Sequence, residues 1–279
     1  MTALLLAAAS AAVYGSADFC GGSATRKAHP VTVTVLSQLL SVPLVLIAAL
    51  WLGGVPATGD LVWGAVAGIA GLVGLVLLYQ GLSSGAMAVV APTTAVTAAL
   101  VPLLAGLVLE AWPRPLALAG VVCAIVAIAL VSLAPNGDRG TVTARLLGSA
   151  VLAGVAFGVF FIALDQAAGD AGMWPLVAAR IISVALGAGF AVGTGVALTA
   201  APVTLRWIVA AGVLDVSANM LYVLAAQQGA LSIVAPIASL YPASTVLLAL
   251  TLDRERVRPI QVVGLGLAAT ALVLVSGSA

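Results

Sequence analysis

Gly85-Ala86-Met87-Ala88-Val89-Val90-Ala91-Pro92 and Gly229-Ala230-Leu231-Ser232-Ile233-Val234-Ala235-Pro236, 144 residues apart, carry the same residue at five of their eight positions. The same displacement, with no gap, sets Arg114-Pro115 on Arg258-Pro259 and Gly120 on Gly264. Of the 48 positions 85–132, 17 carry the same residue 144 places on. A composition dominated by Ala, Leu and Val gives about five or six by accident. The chain reads as a duplication, and what each copy contains decides the architecture.

Each copy is apolar almost throughout. Of 279 residues, 63% are hydrophobic and 7% charged, and the mean hydropathy is +1.26, which excludes a water-soluble enzyme. Apolar runs separated by short polar or proline-containing breaks fall at 2–22, 31–52, 61–80, 86–109, 115–133, 146–166, 174–198, 205–227, 230–252 and 259–277. Each run is near the length of about 20 residues that a membrane helix needs, and none alternates with the period of a barrel strand. Pro30, Pro115, Pro175, Pro202 and Pro259 stand at or just before run starts, where a missing N–H costs nothing. Small residues four apart, at Gly64/Gly68, Gly81/Gly85, Gly154/Gly158 and Gly189/Gly193, allow close helix approach.

The longest break, around Pro135–Arg145, divides the chain into a first repeat (1–134), a connection (135–145) and a second repeat (146–279). The expected fold is therefore an all-α polytopic membrane protein of ten transmembrane helices in two five-helix repeats. Five is odd, so the second copy must enter the bilayer from the opposite face. The repeats are inverted, an arrangement common in secondary transporters. The N-terminal MTALLLAAASAAVYGSADFC lacks the basic start of a secretory signal and reads as the first span.

Charge supplies a separate indication of orientation. Arg26, Lys27, Arg139, Arg145, Arg206, Arg254, Arg256 and Arg258 fall in odd-numbered loops, against Arg114 alone in the even ones. By the positive-inside rule the odd loops are cytoplasmic and both termini lie outside the cytoplasm of an inner (plasma) membrane. The net charge of +1 leaves no basic face for nucleic acid and no acidic tail. Cys20 and Cys123 lie 103 residues apart in apolar runs and form neither a disulfide framework nor a metal cluster. The single His29 lies in a loop, and no nucleophile elbow or phosphate loop is present, so no enzyme, cofactor or metal is expected.

What remains is a short set of ionisable groups at membrane depth, where each is costly unless paired or wet. Asp215 is eleventh of the 23 residues of its run, near the midplane, and Asn219 and Tyr222 extend one polar stripe along the same helix face. Such a stripe facing a central cavity could bind a proton, a cation or a substrate ammonium; the plainer alternative is a cap tying the helix to a neighbour. The repeat partner of Asp215 is Gly71, so the carboxylate belongs to one half only. Arg180, the one basic residue more than a turn inside a run (Arg206 stands second in its run), either pairs with Asp215, holds a substrate carboxylate, or snorkels to the headgroups. Tyr14 and Asp18, four apart near the end of the first span, share a face that could meet the same cavity. Glu110, Asp165 and Asp170 stand at span ends, where a carboxylate is inexpensive, and Asp253–Arg256 reads as a solvated turn. Pro92, Pro102, Pro236 and Pro242 lie inside the fourth and ninth spans, where each frees a carbonyl and bends the helix. Pro92 and Pro236 are repeat equivalents, and with Pro242 they are the candidate gating bends. Ser239 and Tyr241 add polar atoms beside them.

The stretch Leu214–Val275, LDVSANMLYVLAAQQGALSIVAPIASLYPASTVLLALTLDRERVRPIQVVGLGLAATALVLV, resembles the second repeat of the EamA family of the drug/metabolite transporter superfamily. The shared marks are Gly229, Pro236, Glu255, Gln261 and Gly264, with a fainter set at Gly85, Pro92, Glu110 and Gly120. The turn after Glu110 (Ala111-Trp112-Pro113) departs from that after Glu255. The resemblance implies ten helices in two inverted repeats around a central cavity. It also implies movement of a small metabolite, amino acid or drug-like solute, often by export, with protons as a candidate partner. The rival is a non-transporting scaffold or sensor subunit on the same bundle, which would need neither paired bent helices nor a deep carboxylate.

Overall fold

The computed structural model describes residues 1–83, 87–110, 112–131, 143–167, 169–244 and 259–276. Gly85-Ala86 of the repeated phrase, the connection over 135–142 and the Asp253–Arg256 turn with Glu255 lie outside the described residues. The described chain is helical, with no strand among those residues. The helices are α1 (Thr2–Thr25), α2 (Pro30–Leu52), α3 (Thr58–Ser83), α4 (Met87–Leu109), α5 (Pro115–Val131), α6 (Ala144–Gln166), α7 (Trp174–Thr194), α8 (Pro202–Ala226), α9 (Leu231–Ala238) and α10 (Pro259–Ser276). A backbone in lipid has no water to bond, so each apolar run pairs its own amides as a helix. Among the described residues α1, α2, α3, α6, α7 and α8 are long and apolar enough to cross a membrane, and the other helices are apolar but shorter in their described stretches. The protein is a polytopic membrane protein. Its outer face carries exposed Ile47, Leu104 and Val192, and Trp51 and Trp112 stand exposed at or just beyond helix ends, where indole suits the headgroup boundary.

Several boundaries depart from the sequence expectation, three of them for a visible local reason. The seventh run was expected to reach 198, but α7 stops at Thr194 because Gly195 takes the left-handed conformation (φ 70) and caps it. α3 starts at Thr58, three residues early, where the Asp60 carboxylate accepts the Ala57 N–H at 2.9 Å. The ninth run, expected as one span over 230–252, is broken: α9 ends at Ala238, Ser239 and Leu240 form a turn, and 241–244 are helical again. Pro242 has no N–H to give to the Ala238 carbonyl, so the helix stops one turn before it.

Packing follows the duplication. α1 lies on α8, α3 on α6 and α7, α2 on α7 and α8, α4 on α6 and α9, α1 on α9, and α5 on α10. Exchanging every helix for its counterpart 144 residues away turns α1–α8 into α6–α3, α2–α8 into α7–α3 and α4–α6 into α9–α1. It leaves α2–α7, α4–α9 and α5–α10 unchanged, so each principal pair has its partner. Glycine permits the closest of these approaches. A Cβ on Gly64 or Gly68 would collide with the α7 backbone at Pro175 and Ala179, and one on Gly154 or Gly158 would collide with α4 at Thr97 and Val101. Gly189 and Gly193 face open space instead.

These contacts also give direction. Gly64 and Gly68 meet Pro175 and Ala179 in the same order, so α3 and α7 run parallel, whereas Gly71 and Gly74 meet Phe160 and Phe157, so α3 and α6 run antiparallel. Ser10 bonds the Ala218 carbonyl at 2.8 Å while Phe19 meets Trp207, so α1 and α8 are antiparallel. At one end of α2, Val55 N–H bonds the Asp170 carbonyl at 3.0 Å. At the other end, Thr32 Oγ1 donates to the Ala197 carbonyl at 2.8 Å. The link before α7 thus covers one end of α2 and the link after α7 covers the other.

Candidate functional site

A cavity opens between the halves, bounded by α1, α2, α3, α6, α7 and α8, with Tyr241 from the broken ninth run. Its space amounts to about 510 Å³, the mouth included, of which only a small part is wide enough for water. Two facing walls differ in chemistry. α1 and α8 supply Tyr14, Asp18, Asp215 and Asn219; α6 and α3 supply Phe157, Phe160, Phe161, Gly71 and Leu75. α6 and α3 are the repeat counterparts of α1 and α8, so a symmetric frame carries a polar wall on one side and an aromatic wall on the other. Gly71, the counterpart of Asp215, lines the same cavity beside Phe160.

One network ties the polar side chains together. Arg180 on α7, 4% exposed, donates from Nη2 to Asp215 Oδ2 at 2.6 Å and from Nη1 to Gln38 Oε1 on α2. Ser183, one turn beyond Arg180, donates to the same Gln38 oxygen at 3.1 Å. Asn219 donates from Nδ2 to Asp215 Oδ2 at 3.2 Å and to the Asp215 carbonyl at 2.7 Å, while its Oδ1 accepts the Tyr14 hydroxyl at 2.6 Å. Helix spacing makes this possible: 215 and 219 are one turn apart, as are 180 and 183, so each pair faces the same neighbour. The charges satisfy each other where lipid or water cannot. Pairing, not snorkelling, is what the Arg180 side chain does. Its Nε–H is buried with no partner among the described residues.

The family model described as "EamA-like transporter family" matches residues 1–133 and again 146–277. The chain belongs to the EamA-like transporter family. No curated protein matches the sequence. A solved crystal structure shares the fold with a TM-score of 0.78 at 19% identity, over 98% of this chain and 95% of that one, and is one of 28 matching chains. The EamA-like family is one of drug/metabolite-type transporters, and both matched stretches coincide with the two halves of the duplication.

Of the residues singled out in the sequence of this EamA-like chain, Tyr14, Asp18, Arg180, Asp215 and Asn219 converge on the cavity. Tyr222 does not line it. Fully buried behind the aromatic wall, its hydroxyl donates to the Phe161 carbonyl at 3.0 Å and its ring lies 4.6 Å from that of Phe161. Pro92 lies within α4, Pro236 within α9 and Pro242 just after the break. Gln38, Leu75 and the Phe157-Phe160-Phe161 cluster were missed. Gln38 was visible as an amide deep in the second run, and the cluster as three of the five Phe of the chain at helical spacing. Glu110 also does more than end a span. It reaches across to the second half, where its Oε1 accepts the Leu231 N–H at 2.7 Å and Oε2 the Ser232 N–H at 3.1 Å, capping α9.

Proposed function

We propose that the protein is a secondary transporter of the inner (plasma) membrane that exports a small organic solute by alternating access. In this reading ten transmembrane helices form two inverted five-helix repeats, with both termini outside the cytoplasm. The observation that carries it is the cavity between the halves, holding the Arg180–Asp215 pair with Asp215 near the middle of α8. The inversion is supported by the end-to-end relation of equivalent contacts. Residue 53 corresponds to 197 and residue 32 to 176, yet the two links they mark cover opposite ends of α2.

Asp215 is the coupling or substrate group, with Asn219, Tyr14, Arg180 and Asp18 around it, and Tyr222 supports the wall from behind. The α4–α9 pair, where Pro92 and Pro236 are equivalents and Pro242 follows a true break, is the mobile gate. The Glu110 cap on α9 closes it on one side. A screen of metabolites for thermal stabilisation identifies a solute, since binding raises stability by mass action. With that solute, Asp215→Asn is expected to abolish flux into proteoliposomes, or its response to a proton gradient, when flux is measured per folded, inserted protein. Unchanged flux with an unchanged pH profile would remove Asp215 from the site. A reporter fused after Ala279 reads the orientation, because a cytoplasmic signal would contradict the charge count.

A further inference from the structure

The acidic and basic side chains of the cavity wall do not pair off one to one. Asp18, Asp215 and Arg180 are the ionisable acid and base side chains among its lining residues. Arg180 is already committed, one nitrogen to Asp215 at 2.6 Å and the other to Gln38. Asp18 is left as a carboxylate without a basic group in the wall. The nearest basic residues along α1, Arg26 and Lys27, stand beyond its last turn, about 12 Å further along the axis. The lining that α6 and α3 supply, Phe157, Phe160, Phe161, Gly71 and Leu75, carries no charge, and the counterparts of Asp18 and Asn219 are the apolar Ile162 and Leu75.

We infer that the solute is an organic monocation with an aromatic or branched apolar body, its positive charge set against Asp18 and its body against the phenylalanine wall. This specifies the substrate class of the transporter site proposed above and rests on that reading of the cavity. A carboxylate in a low-dielectric cleft holds a counter-charge or a proton, and a permanent organic cation supplies the first. Aromatic faces favour a cation close to them. An anionic solute would add a further negative charge beside Asp18, with Arg180 already neutralised.

The test uses three probes of one shape: trimethyl(2-phenylethyl)ammonium, neutral 2-phenylethanol and anionic 3-phenylpropanoate, titrated calorimetrically against the full-length protein in nanodiscs. The cation is expected to bind at least tenfold more tightly than either other probe. Asp18→Asn is expected to erase that preference and Asp18→Glu to retain it. Equal or tighter binding of the neutral or anionic probe, no binding of the cation, or a preference that survives in a folded Asp18→Asn protein would each overturn the inference. Should Asp18→Asn fail to fold, the ranking of the three probes on the unaltered protein decides alone. Tracer exchange in proteoliposomes separates the two levels. Cation binding without exchange sinks the transporter reading and keeps this one; exchange of another solute by a protein that binds no cation does the reverse.

Discussion

Breaking the Arg180–Asp215 pair one side at a time is the sharpest perturbation of the polar network. Asp215→Asn keeps the shape of the side chain and removes its charge, leaving a guanidinium that is 5% exposed with only neutral amide oxygens as side-chain acceptors. Removing one partner of a fully buried pair costs about 3–5 kcal/mol. The Asp215 side chain is 23% exposed to the cavity, and membrane proteins find substitute partners in their unfolded state, so about 2–3 kcal/mol is expected here. Arg180→Met, which fills the same path with an apolar chain, strands the carboxylate and frees Gln38 and is expected to cost a similar amount. The double variant has no charge left to strand. Its loss should fall short of the sum of the singles by about 1–2 kcal/mol, measured by reversible detergent-induced unfolding in mixed micelles. Single losses that add to within about 0.5 kcal/mol would refute the argument, because Arg180 would then be compensated by something other than Asp215.

Glu110→Gln removes the charge from two hydrogen bonds to the start of α9 and leaves one of the N–H groups without an acceptor, so a loss of about 1–2 kcal/mol in the same unfolding assay is expected; no loss would mean that the cap contributes nothing. Gly68→Leu drives a side chain into the α7 backbone at Ala179 and should cost at least about 1–3 kcal/mol or the monodisperse yield, whereas Gly189→Leu, facing open space, should leave both unchanged; equal effects would contradict the packing. Tyr222→Phe should cost about 1 kcal/mol of stability through the lost bond to Phe161 and leave solute affinity intact, while Tyr14→Phe should weaken solute binding by calorimetry. The reverse pattern would place Tyr222, not Tyr14, at the solute.

The helices were legible because lipid leaves so little freedom: a run of about 20 apolar residues flanked by proline has one stable form. The duplication was legible because the repeated phrase survives at the starts of the fourth and ninth runs. Boundaries failed where a local backbone choice overrode hydropathy, at Gly195 with its left-handed φ and at the Pro242 break. Asp18, Arg180, Asp215 and Asn219 announced themselves through the cost of polarity at depth. The aromatic wall could not do so, since Phe157, Phe160 and Phe161 look like ordinary lipid-facing or core residues until α6 is seen opposite α1. Tyr222 shares a helix face with Asp215, but a face spans about 100°, and seven residues carried its hydroxyl past the cavity to the Phe161 carbonyl. Glu110 was discounted as a span end because its acceptors lie 121 and 122 residues away, beyond the reach of any local pattern.

The most direct test concerns access to the cavity from water. With Cys20 and Cys123 replaced by serine, single cysteines at Leu75 and Phe157 are treated in sealed, oriented vesicles with a membrane-impermeant thiol reagent from each side in turn. A transporter that alternates about this cavity is expected to react at both positions from both sides, and more slowly when a bound solute is present. Protection of both positions from either side, in protein that is folded and inserted, would contradict it.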